Sequence, residues 1–161
     1  MISTIVAIDR AFINAAQDIH DVLSESFIPF HQYYTKEAYR ATVISVREIK
    51  NRILNKKTDV LIAICNNNLV GTATIEIQEK ENWFIRSMAI KPDYQRKSIA
   101  YQILREIINL AKKKHARTLL LECFEPLSDA INLYQRSGFK KTGRKRNHYG
   151  IEIFEMIREV D

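Results

Sequence analysis

Long apolar runs are missing from this chain of 161 residues. No stretch approaches the roughly 18 to 20 consecutive apolar residues that a membrane-spanning helix requires. A membrane-spanning role is therefore not expected. The N-terminal residues also lack the charged-then-apolar plan of a secretory signal. Cysteine is scarce, with Cys65 and Cys123 alone in the sequence. Neither belongs to a Cys-x-x-Cys pair or stands near histidines at metal-ligand spacing, so neither a disulfide framework nor a metal site is expected. Both read as buried free thiols, which suits a reducing cytoplasm. With 4 glycines and 3 prolines, the chain shows no linker, low-complexity tract or internal repeat. Residues 1–161 are expected to form one domain.

An apolar content of 46% is enough for a substantial core. The net charge of +6 comes from 25 basic against 19 acidic residues, a balance compatible with an anionic ligand or partner. Lys112-Lys113-Lys114-His115 closes a helical pattern, where cations complement the helix dipole. Lys140-Lys141 and Arg144-Lys145-Arg146 read as an exposed edge or turn. No aromatic stacking pattern or nucleic-acid motif accompanies these clusters, so a nucleic-acid partner is not expected.

Ser3 to Ile8 reads as a first strand. A helical pattern follows, with Phe12, Ala15, Ala16, Ile19, Val22, Leu23 and Ser26 on one face. Phe27 to Tyr39 is aromatic-rich and reads as irregular. A second helix is predicted from Ser45 to Asn55, opened by a capping box of Ser45 and Glu48. Val60 to Cys65 and Leu69 to Gln78 read as a hairpin across Asn66-Asn67-Asn68, residues that tolerate positive φ. Trp83 to Ile90 is the next strand, and Ile99, Ile103, Ile107 and Leu110 set the stripe of a long helix. Thr118 to Cys123 reads as a central strand. A helix from Ser128 to Ser137 closes at Gly138, and Phe139 to Arg144 and Gly150 to Ile157 are the last strands. Such an order describes a mixed α/β sheet with helices on both faces.

The most informative segment runs from Trp83 to Ala100. Its apolar strand breaks at Lys91-Pro92, and a short basic loop, Tyr94-Gln95-Arg96-Lys97-Ser98, opens onto a helix N-terminus. Free N–H groups and the positive end of the helix dipole make such a terminus an anion site. Arg96 and Lys97 add to the attraction. Together the loop reads as a pyrophosphate cradle.

Tyr94-Gln95-Arg96-Lys97-Ser98-Ile99-Ala100 resembles the acyl-CoA loop of the GNAT (GCN5-related N-acetyltransferase) superfamily. Downstream, Ala130-Ile131-Asn132-Leu133-Tyr134-Gln135-Arg136-Ser137-Gly138-Phe139 resembles that family's second signature, Ala-x-x-Leu-Tyr-x-x-x-Gly-Phe. There are two departures. Ser98 stands where the family has glycine, and Leu127 stands where an asparagine commonly precedes the helix. Serine is small, and its hydroxyl could cap the helix or touch a phosphate oxygen, so cofactor binding is expected to survive.

The resemblance implies a GNAT-like acyl-CoA N-acyltransferase fold, β-α-α-β-β-β-α-β-α-β-β, with the fourth and fifth strands splayed to admit pantetheine. It implies acetyl-CoA as cosubstrate, no metal, and transfer to a primary amine of a small molecule or peptide by direct attack in a ternary complex. Backbone groups of Met88, Ala89 and Ile90 would pair with pantetheine. Gln95, Arg96, Lys97, Ser98, Ile99 and Ala100 would hold the pyrophosphate. The amide of Met88 or Ala89 would face the developing oxyanion. Tyr134 matches the residue placed to protonate the departing sulfur, although its place beside Leu127 and Ile131 equally suits a core aromatic. A homodimer is compatible with the family.

The general base is less legible. Family members often carry a glutamate on the fourth strand, where this chain has Phe84 and Arg86. Glu81, just before that strand, is the favoured candidate. Glu76, Glu122, His148 and Tyr149 remain open, and Arg86 is a candidate to face an acidic group on the acceptor. The acceptor is expected between Phe27–Tyr39 and Arg144–Gly150. Two other readings stand beside the enzyme: a catalytically impaired CoA-binding regulatory or interaction module, and contact of the basic C-terminal cluster with nucleic acid or the ribosome.

Overall fold

The computed structural model describes residues 4–79 and 81–161. Seven strands form one sheet in the order β1-β2-β3-β4-β5-β7-β6. They are β1 (Ala7–Arg10), β2 (Thr58–Cys65), β3 (Asn68–Glu79), β4 (Asn82–Ile90), β5 (Thr118–Cys123), β6 (Lys140–His148) and β7 (Ile151–Glu159). The helices are α1 (Ala16–Phe27), α2 (Lys36–Thr42), α3 (Val46–Leu54), α4 (Ile99–Lys113) and α5 (Ser128–Arg136). Among the described residues, no helix is long and apolar enough to cross a membrane.

Local chemistry explains most of these boundaries. In α3 the Ser45 hydroxyl accepts from the Glu48 amide at 3.2 Å, and the Ser45 amide donates to Glu48 Oε2 at 3.0 Å. The predicted capping box therefore forms as written. Asn66 and Asn67 take φ of 48° and 63°, the two left-handed residues a tight β2–β3 hairpin needs. Tyr149 and Gly150 do the same between β6 and β7, with φ of 50° and 95°.

Two apolar clusters lie on opposite faces of the sheet. One buries Trp83, Ile85, Ile103, Leu104, Ile107 and Leu119 beneath α4. The other packs Ile19, Val22, Leu23 and Ile49 of α1 and α3 against Val60, Ile62 and Ala89. Gly71 permits the close approach on the α4 side, because a Cβ there would meet Ile90 Cδ1 at 2.7 Å.

The structure corrects several sequence expectations. The first strand is Ala7–Arg10 rather than Ser3–Ile8, and Ser3 lies outside the described residues. Phe12 is 71% exposed, since it precedes α1 in a short turn and never joins its apolar face. The aromatic segment is not irregular. It holds a 3₁₀ turn, Ile28–Tyr33, and then α2, whose cap is Thr35 Oγ1 accepting from the Ala38 amide at 3.1 Å. The sixth strand continues past Arg144 to His148 because its register with β7 slips between Lys141 and Lys145 around Gly143, at φ 88°.

Candidate functional site

The strands β4 and β5 pair in parallel only from Asn82–Thr118 to Ile85–Leu121. Beyond Ile85 the ladder stops. Backbone groups of Arg86–Ile90 that would meet β5 are thereby left to a cleft. Its volume is about 1140 Å³, above the roughly 300–1,000 Å³ of ordinary small-ligand sites. A bulge sharpens the break. Thr72 pairs with Ala89 and Thr74 with Arg86, so β4 carries one residue more than β3 over this span, and Ser87 takes φ of 51°. A bulge of this kind bends its strand and re-aims the groups beside it.

One end of the cleft is the loop into α4. Gln95 Nε2 donates to the Ile90 carbonyl at 2.9 Å, tying the loop to the end of β4. Arg96 and Ser98 take φ of 59° and 63°. Serine thus occupies a left-handed position that glycine fills without strain. Its Oγ accepts from Gln102 Nε2 at 3.4 Å. Met88, Ala89, Ile90, Gln95, Arg96, Ser98, Ile99 and Ala100 all line the cleft. Arg96 also reaches Asp129 at 3.7 Å, an exposed pair of small energetic weight. Lys97 is not among the lining residues; its ammonium lies 5.3 Å from the Tyr94 ring centroid. The residues present fit a long, anionic, extended ligand: an open strand edge, then a basic loop, then a helix N-terminus.

Tyr134 of α5 lines the middle of the cleft and packs its ring edge-on against Phe139, centroids 5.8 Å apart. Burial pushes its phenol well above the ordinary value of 10, with Cys123 adding to the rise. The ring serves the core, as its neighbours on α5 imply, and the residue also forms part of the cleft wall. Cys123, also at the cleft, is a buried thiol pushed up to about 11 by desolvation.

The other end holds charge. Arg86 Nε donates to Glu76 Oε2 at 2.6 Å, and Arg146 grips Glu122 through Nε at 2.5 Å and Nη2 at 3.1 Å. Arg52 of α3 donates to Ser87 Oγ at 2.8 Å. His148 Nδ1 lies 3.4 Å from Arg146 Nη1. Burial first, then the charges of Arg146 and Arg86, hold that imidazole below its ordinary pKa of 6.5. Above this end sits Tyr34, edge-on to Phe27 and Tyr39 and 4.8 Å from the Phe124 ring centroid. Thr35 Oγ1 donates to the Tyr149 carbonyl at 2.5 Å, joining the aromatic segment to the β6–β7 turn.

Glu81 does not come to the cleft. It precedes β4 at the end remote from the splay, 3.1 Å from Arg117, and its carbonyl accepts from the Arg117 and Thr118 amides. Nearness in sequence to β4 does not bring it to the cleft, because the cleft lies where the β4–β5 ladder opens and Glu81 lies at the other end of the strand. Arg52 was missed by sequence reasoning. As a basic residue on a polar helix it carried no signal of its own.

A family model described as the acetyltransferase (GNAT) family matches residues 16–139. The ribosomal protein bS18-alanine N-acetyltransferase of Escherichia coli (strain K12) is 35% identical over 63 residues, or 39% of this chain and 43% of that protein. The match thus spans less than half the length of this relative. Among solved structures, the PaiA N-acetyltransferase of Thermoplasma acidophilum, in complex with coenzyme A, superposes with a TM-score of 0.84 at 21% identity, over 96% of this chain and 99% of that one. The Escherichia coli ribosomal-protein-S18-alanine N-acetyltransferase gives 0.80 at 16% identity, over 98% and 95%. At these identities the structural likeness speaks for the fold.

Proposed function

The chain belongs to the acetyltransferase (GNAT) family, and from that premise we propose that it is an acetyl-CoA-dependent N-acetyltransferase acting on a primary amine. One observation supports this most: the pairing of β4 with β5 ends at Ile85, and the cleft so opened runs from the basic loop past Tyr134. Acetyl-CoA, when bound, supplies the activated acyl group as a thioester. Residues 1–161 would form the domain, and the buried thiols of Cys65 and Cys123 suit a cytoplasmic setting.

The chain's own residues would then divide the work. Gln95, Arg96, Ser98 and the first amides of α4, from Ile99 and Ala100, would hold the pyrophosphate, while Lys97, turned to Tyr94, would add only its charge beside the loop. The open edge at Met88, Ala89 and Ile90 would align the extended arm, and the amide of Met88 or Ala89 would face the carbonyl oxygen as negative charge develops. Tyr134 would deliver a proton to the departing sulfur. Its raised pKa keeps the phenol protonated in readiness. For the base, His148 takes the place that sequence reasoning gave to Glu81. It lines the cleft, burial and nearby arginines favour its neutral form, and its Nδ1 faces an arginine that can only donate, so the basic lone pair is on Nδ1 and would exchange that 3.4 Å contact for the proton of the amine. Positioning of the two reactants would carry much of the remaining barrier reduction.

The second reading, a CoA-binding module without turnover, draws on one observation. Glu122, which lines the cleft, and Glu76, opposite Phe84 of β4, are both tied to arginines. Calorimetric titration with acetyl-CoA, followed by thiol-release kinetics over a panel of amines, separates the readings. Binding with turnover is expected, and Tyr134→Phe should lower kcat by about 10²-fold with little change in acetyl-CoA Kd. Binding without turnover on any amine would leave the module standing, and an unchanged kcat in Tyr134→Phe would reduce the tyrosine to packing.

A further inference from the structure

A row of charge crosses the α1/α3 face of the sheet at the end of the cleft remote from the basic loop. Glu76 of β3 pairs with Arg86 of β4, and Glu122 of β5 pairs with Arg146 of β6. The two pairs balance. Arg52 enters from α3 as a fifth charge and makes the count odd. Among the described residues it forms no ion pair, and its guanidinium is held by a neutral acceptor, Ser87 Oγ of the β4 bulge. The acidic groups that act on its charge are Glu48 and Glu76. Glu48 is engaged in the α3 capping box and Glu76 is bound to Arg86.

This arrangement is costly unless something completes it. Arg52 is half-buried, and the positive charge of Arg86 works against its own. Burial and that repulsion together lower the pKa of Arg52. A guanidinium presents five donors in a planar fork that matches a carboxylate or a phosphate in two-point contact. Arg52 uses one donor on Ser87, and Arg86 turns Nε to Glu76 while its Cζ lies 4.4 Å from the Phe84 ring centroid. Both side chains line the cleft beside the bulge where transfer would occur. The exposed strand β6 adds Lys140 and Arg144 to a field that favours approach of an anion.

We propose that Arg52 and Arg86 form an anion-recognition site for the acceptor, so that the amine acetylated by this protein carries a carboxylate or phosphate group. The proposal rests on the acetyltransferase reading for the identity of the ligand, but the anion site itself does not require turnover. It assigns specificity to a helix residue and a strand residue that meet only in the folded chain. A strongly basic acceptor would place like charge against Arg52 and be rejected.

Two measurements test it. In the first, thiol release from acetyl-CoA is followed with three C-terminally amidated acceptors of matched length: the amides of alanyl-aspartate, alanyl-phosphoserine and alanyl-asparagine. The wild type should prefer an acidic dipeptide over the asparagine twin by at least tenfold in kcat/KM, and the better of the two names the anion. Arg52→Gln should lose that preference chiefly through KM, while its acetyl-CoA Kd reports that the fold is intact. Equal rates for acidic and neutral twins, or an Arg52→Gln loss that falls equally on both, would overturn the site. In the second, the coenzyme A-loaded wild-type protein is titrated with acetate and with inorganic phosphate while the guanidinium Nε–H resonances are followed by NMR. Saturable shifts of Arg52 and Arg86 are expected. Shifts that grow linearly without saturation overturn the proposal even if no dipeptide is turned over. Saturable binding without turnover would uphold the anion site and count against the acetyltransferase reading alone.

Discussion

Ser98 carries the clearest conflict between a side chain and its backbone. Its φ of 63° lies in the left-handed region at the residue preceding α4. There a Cβ costs roughly 1–2 kcal/mol, and glycine regains part of that as extra freedom in the unfolded chain. Ser98→Gly is therefore expected to stabilise the protein by up to about 1 kcal/mol and to tighten acetyl-CoA binding or leave it unchanged. Thermal unfolding and calorimetry on the same variant read both effects. Weaker binding would mean that the serine itself contributes to holding the ligand. Tyr134 shows a different duality, since one residue packs on Phe139 and also lines the cleft.

At the level of a helix, α3 matters more than its length suggests, because it delivers Arg52 to the bulge in β4. Its start is fixed by the Ser45–Glu48 capping box. Removing one half with Ser45→Ala should cost about 1 kcal/mol. For a protein of this size that corresponds to a Tm lower by about 2–4 °C. A variant melting with the wild type would show that packing of Ile49 alone sets the helix. The β4 bulge is the complementary element. It turns Ser87 toward α3 at the same point where β4 parts from β5, so recognition and the open strand edge share one irregularity.

Across the whole molecule, the cleft joins elements from both halves of the chain, and its electrostatics titrate. The folded pKa of His148 lies below 6.5 whereas the unfolded one does not. As pH falls through that window the unfolded chain takes up a proton that the folded chain resists, so stability declines toward acid. Loss of activity should follow the same direction, because the neutral imidazole is the proposed proton acceptor. His148→Gln is expected to reduce kcat and to flatten the stability difference between pH 7 and pH 5. An acid limb of the rate profile that persists unchanged in the variant would assign the titration to another group.

Much of this was legible along the chain. Residues whose structure is dictated by near neighbours read correctly: the Asn66-Asn67 turn, the Ser45 cap, the apolar stripe of α4 and the compact run of β5. The loop from Gln95 to Ala100 and the segment Ala130–Phe139 are likewise contiguous, so their pattern survives in one dimension. The charge row was not legible, because Arg52, Glu76, Arg86, Glu122 and Arg146 come from five elements. Their meeting depends on the β7-β6 inversion at the sheet edge, on the slip beside Gly143, and on the extra residue in β4. Glu81 lies away from the cleft for the same reason: nearness to a strand in sequence says nothing about which of its ends opens. Hydrophobic period and turn chemistry act over a few residues and so are written locally, whereas the position of a gap in a sheet arises from the balance of all its pairings.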